Sequence, residues 1–83
     1  MLNIRAVRHR GAYRLWLQFN DGTEGEIDLA SHLHGVMFEP LRDLALFAAV
    51  RVDPEIRTIA WPNGADFAPE YLHALLESGV PAS

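Results

Sequence analysis

Cysteine and lysine are both absent from the 83 residues. Without thiols the chain holds neither a disulfide framework nor a thiolate-bound metal, and it lacks the two strongest side-chain nucleophiles. Serine occurs only at Ser31, Ser78 and Ser83. The adjacency of Ser31 and His32 does not create a hydrogen-bonded dyad, and neither G-x-S-x-G nor S-x-x-K is present. A glycine-rich phosphate loop is missing as well. No apolar run approaches the ~20 residues of a membrane span, and the N-terminus lacks the ~7–15-residue apolar stretch of a signal peptide. The expectation is a cytoplasmic protein that is not an enzyme, with no catalytic residue and no cofactor.

What is present is 49% apolar and 22% charged sequence, enough for one small domain over residues 1–83. At about 0.05–0.15 kcal/mol per residue its net stability lies roughly between 4 and 12 kcal/mol. The formal charge of −4 conceals a division. Arg5, Arg8, Arg10 and Arg14 fall in the first fourteen residues with no acid, whereas the remainder sets three arginines against eleven acids. The overall field repels phosphates.

The clearest element is a hairpin. Tyr13, Leu15, Leu17 and Phe19 alternate with polar residues and Trp16, and Gly25, Ile27 and Leu29 alternate with Glu24, Glu26 and Asp28. A two-residue Asp21-Gly22 loop would set Leu17 opposite Glu26 and Leu15 opposite Asp28, placing carboxylates on the apolar face. A three-residue loop Asn20-Asp21-Gly22, with Gly22 left-handed, instead pairs Leu17 with Gly25 and Leu15 with Ile27. It also sets Arg14 opposite Asp28 and Trp16 opposite Glu26 on the outer face, where a cross-strand ion pair is expected.

Residues 2–8 read as a first strand, although Leu2, Ile4 and Ala6 alternate out of phase with Val7. Ala30 to His34 reads as one helical turn closed by Gly35, and Pro40 as the start of a short helix reaching Ala45. Phe47 to Val52 and Ile56 to Trp61 read as strands of a second hairpin across Asp53-Pro54-Glu55. Pro69 opens a last helix with Leu72, Leu75 and Leu76 on one face and Gly79 as its stop. The fold class is therefore α+β, in the order β-β-β-α-β-β-α, with an antiparallel sheet of about five strands packed against a C-terminal helix.

The segments Phe19-x-Asp21-Gly22, Ile27-Asp28-Leu29 and Gly35 with Phe38 and Leu41 lead to a more specific run, Trp61-Pro62-Asn63-Gly64-Ala65-Asp66, followed by Pro69-Glu70 and Leu72. Together they make the chain resemble the small bacterial family catalogued as domain of unknown function 2442. The resemblance implies a compact α+β domain and no assigned activity. Family members resemble one half of a toxin–antitoxin-like gene pair, which implies a small partner protein. Some continue into a helix-turn-helix domain; with Ser83 the last residue, none is expected here.

Candidate partner-binding residues fall in two groups. Trp61, Asn63 and Asp66 combine an aromatic ring, an amide and a carboxylate on a rigid turn. The competing account is structural and is favoured: turn chemistry explains Pro62, Asn63 and Gly64, Asp66 caps the last helix, and Trp61 fills the core. The second group is Arg5, Arg8 and Arg14 with Trp16, which can contact phosphates and stack on a base, or meet an acidic partner protein. An ion-paired, solvated sheet face is favoured over a nucleic-acid site, given the acidic strand beside it. His32 and His34, with Asp28, His9 or His73, offer zinc-type ligands, but His-x-His in a helical turn splays the rings about 200° apart. No metal is expected. Homo-oligomerisation stays open.

Overall fold

A computed structural model describes residues 1–78. Three antiparallel strands, β1 (Ile4–His9), β2 (Arg14–Phe19) and β3 (Glu24–Asp28), form the first sheet in sequence order. The β2–β3 register is the one demanded by keeping carboxylates off the apolar face: Leu17 faces Gly25, Leu15 faces Ile27, and the Phe19 amide donates to the Thr23 carbonyl at 2.8 Å. Gly22 supplies the left-handed residue with φ of 92°. In β1 the phase conflict disappears through an irregularity, because the register shifts between Ile4 and Ala6. Ile4 opposite Phe19 and Val7 opposite Leu17 thus both reach the inner face, and Ala6 and Arg8 turn outward opposite Gln18 and Trp16.

The middle of the chain departs from the sequence reading. The helical turn after β3 is a 3-10 turn over Ala30–His32, and Pro40 lies within a second, Glu39–Arg42. A separate single-turn helix, α1 (Leu44–Phe47), begins where the Asp43 carboxylate accepts the Ala45 amide at 2.9 Å. Phe47 consequently ends a helix and does not open a strand, because the Asp43 cap satisfies an amide that an extended chain would leave to a neighbour. The second sheet is short, β4 (Arg51–Asp53) antiparallel to β5 (Thr58–Ala60). Asp53 ends β4 by accepting the Glu55 amide at 2.8 Å, and Arg57 completes the turn at φ of 57°. The five strands thus divide between two sheets, joined where the Ile4 amide donates to the Arg57 carbonyl at 2.9 Å.

Helix α2 (Pro69–Ser78) lies against the inner face of the first sheet, with Phe19 and His73 edge-to-face at 5.0 Å. Leu76 fills the space that Gly25 leaves open: a Cβ there would sit 2.8 Å from Leu76 Cδ1. Gly79, expected as the stop of this helix, lies outside the described residues. The core collects Leu15, Leu17, Leu29, Leu33, Leu41, Phe47, Ile59, Trp61 and Leu72, all at 1% exposure or less. Among the described residues the one buried polar side chain, Thr58, donates to the Phe67 carbonyl at 2.6 Å. No helix of the described residues is long and apolar enough to cross a membrane.

Candidate functional site

The two candidate groups separate on burial. Trp61 is 1% exposed and donates its indole N–H to the Phe47 carbonyl at 2.9 Å, between the rings of Phe47 and Phe67. Its loop closes on itself through Gly64 N–H to Trp61 O and Trp61 N–H to Ala65 O, both 2.9 Å. Asn63 accepts the Ala65 amide and donates to the Met37 carbonyl at 3.0 Å, which ties the loop to the chain around Gly35. Each of these groups is used internally, so Trp61 has no surface to offer a partner. Asp66 does not cap α2. Its backbone bridges to Ala60, its side chain is exposed, and it takes no hydrogen bond among the described residues.

The outer face of the first sheet keeps its groups accessible. Strand alternation places Arg8 on β1, Arg14, Trp16 and Gln18 on β2, and Glu24, Glu26 and Asp28 on β3 along this one face. Arg10 joins them, since its amide bonds the Arg14 carbonyl at 2.9 Å. The Arg8 guanidinium lies 6.0 Å from the centre of the half-buried Trp16 ring, a cation–π contact. Arg14 forms its ion pair diagonally with Glu26 at 3.5 Å, and Arg10 reaches the same carboxylate at 3.8 Å. The directly opposed Asp28 is not the partner, because its Oδ1 accepts the Ala30 amide at 2.9 Å. Arg5 is exposed at the irregularity in β1 and, like Arg8, makes no ion pair among the described residues.

The histidines do not converge. His32 Nδ1 meets the Tyr71 hydroxyl at 2.6 Å, and His73 lies between Asp21 at 2.9 Å and Glu77 at 3.4 Å. Among the described residues no group of three or more His, Asp or Glu side chains is placed to hold a metal ion. The Asp21 carboxyl is held below its ordinary value, first by the hydrogen bond from the Thr23 amide and further by His73. A depressed carboxyl contributes stability above its unfolded pKa, near 3.9, and loses it as pH falls through the folded value. Asp21→Asn keeps the turn acceptor and removes the charge. Its melting temperature should therefore fall below the parent's at pH 5–7, with the gap closing under about pH 3 in a series of thermal melts.

One exposed feature carried no signal in the sequence. Val36 is 90% and Met37 44% exposed beside the Asn63 turn. They follow Gly35 with no period-two or 3.6-residue pattern, so nothing local distinguished them from core residues.

A family model described as "Protein of unknown function (DUF2442)" matches residues 4–78. Among solved structures the fold is similar to the crystal structure of "Putative DNA Binding Protein NE0471" from Nitrosomonas europaea ATCC 19718, with a TM-score of 0.79 and 22% sequence identity. The similarity covers 95% of this chain and 52% of that one, so the chain spans about half the length of the protein it matches. At that identity the likeness is one of fold. A comparison with curated proteins finds no match.

Proposed function

The chain belongs to this DUF2442 family of unknown function, and from that premise we propose that it is a non-catalytic protein-binding module, the accessory or antitoxin-like member of a bacterial, cytoplasmic two-protein system. The observation that carries the reading is the outer face of the first sheet, where Trp16 is half-buried beneath Arg8 and flanked by Arg10 and Arg14 on Glu26. Tryptophan and arginine are the residues that dominate binding energy at protein interfaces, and here the strands hold both in place. Compensated charge suits a protein partner, because the face carries both signs and gains little from phosphates alone. A pulldown using the full chain against the product of the adjacent gene tests the reading. Capture at micromolar concentration supports it, and no complex at that concentration removes it.

A second reading is a nucleic-acid-associated regulator. Arg5 and Arg8, which make no ion pair among the described residues, favour it, as does the name carried by the Nitrosomonas europaea protein of the same fold. It requires salt-dependent binding that weakens when Arg5, Arg8 and Arg10 are replaced together. Gel-shift titrations without a complex at low salt would dismiss it.

A further inference from the structure

We propose that the free edge of β3 is a docking strand that receives an extended segment of the partner protein, with basic residues opposite Glu24 and Asp28 and apolar residues at the intervening positions, as a fourth strand of the first sheet. The proposal rests on the protein-binding reading and deepens it. In an antiparallel pair the hydrogen-bonded residues alternate. The Phe19–Thr23 and Tyr13–Leu29 backbone bonds set the phase, so Gly25 and Ile27 bond to β2. The amides and carbonyls of Glu24, Glu26 and Asp28 therefore point away from the sheet. None of them takes a hydrogen bond from the described residues, and a row of such groups is a template for strand addition.

Three features select the occupant. First, all three outward side chains of β3 are exposed carboxylates, and Glu26 is already matched by Arg10 and Arg14. Glu24 and Asp28 have no ion pair among the described residues, Asp28 accepting only the Ala30 amide through Oδ1; they lie four residues apart, the spacing of two same-face residues on an added strand with one further same-face residue between them. Second, the inner side of the edge is apolar. Ile27 is 7% exposed, and the partly buried Leu76 packs where Gly25 has no side chain, so the intervening residues of an incoming strand meet hydrocarbon. Third, copies of this chain fit poorly. Pairing β3 with β3 of a second copy sets carboxylates against carboxylates. The outer edge of β1 is already engaged at Ile4 by the Arg57 carbonyl.

The test uses the full chain and a capped seven-residue peptide alternating valine with arginine, threonine and arginine. Amide exchange at Glu24, Glu26 and Asp28 should slow by about tenfold or more when the peptide is saturating. Glu26→Pro removes the central free N–H and the ion pairs to Arg10 and Arg14 without breaking a backbone bond to β2, and should abolish the protection. Should that variant not fold, Glu24→Lys, at a position whose glutamate has no side-chain partner among the described residues, should weaken peptide binding about threefold to tenfold. Unchanged exchange at the β3 amides, equal binding of the peptide with glutamate in place of arginine, or protection that rises with protein concentration alone would each overturn the proposal. Capture of the partner protein by folded Glu26→Pro as efficiently as by the parent would overturn the edge and leave the protein-binding module standing. Absence of capture by the parent chain would instead overturn the module.

Discussion

Trp61→Ala should destabilise the protein more than any surface substitution. The side chain is 1% exposed and is packed against Phe47 and Phe67. Truncating a buried tryptophan costs about 3–5 kcal/mol. Against a total of roughly 4–12 kcal/mol for a domain of this length, that is most of the stability at the low end of the range. Thermal unfolding followed by circular dichroism should show the midpoint falling by at least about 12 °C, at some 4–8 °C per kcal/mol. Trp61→Phe separates the two contributions of the residue. It retains an aromatic ring and removes the indole donor. The Phe47 carbonyl keeps the Val50 amide at 3.3 Å, so the cost should be nearer 1–2 kcal/mol. If Trp61→Ala melted like the parent while losing partner capture, the indole would belong to an interface and the burial account would fail.

That contrast shows why the Trp61-Pro62-Asn63-Gly64-Ala65-Asp66 run was legible only in part. Turn chemistry identified the loop, and Gly64 at φ of 92° needs the residue it has. Whether the aromatic ring beside the turn points in or out depends on Phe47 and Phe67, which are fourteen and six residues away and leave no local trace. Asp66 failed as a helix cap because the bridge to Ala60 fixes its backbone before α2 begins.

The first hairpin was legible to the residue. A one-residue slip would have moved three carboxylates onto the core face, which is a large penalty and therefore a strong signal. The irregularity at Arg5 was visible only as a conflict of phase between Ile4 and Val7. The stretch from Asp43 to Val50 went wrong for a definite reason: Phe47-Ala48-Ala49-Val50 is apolar without periodicity, and such a run reads as strand or helix alike. Asp43 just before Leu44-Ala45-Leu46-Phe47 was the cue that separates them. The division into two sheets was invisible, because pairing partners distant in sequence are not encoded by alternation. For the candidate surface, register gave the residue directly opposite Arg14 and missed the diagonal partner, since the demand of the Ala30 amide on Asp28 follows from the turn after β3.

The outer face carries the second large prediction. Trp16→Ala should weaken capture of the partner protein by about 30-fold or more, corresponding to the 2 kcal/mol or more of an interface hot spot. Stability should change far less than for Trp61→Ala, since Trp16 is only half-buried and lies on the side of the sheet opposite α2. Isothermal titration calorimetry on the folded variant provides the measurement. Arg8→Ala should weaken binding less, and the double variant should lose less than the sum of the two, because the guanidinium and the ring act on each other at 6.0 Å. Wild-type affinity in Trp16→Ala would move the interface off this face altogether. The salt dependence of the same titration adds an independent discrimination. Arg10 and Arg14 are already committed to Glu26, so docking of a protein partner displaces few counterions, and affinity should change only modestly between about 50 and 200 mM salt. A phosphate backbone drawn to Arg5 and Arg8 would instead give an affinity falling steeply and linearly on a logarithmic salt axis. The unequal pairing of the arginines thus makes the two readings separable with one protein and one titration.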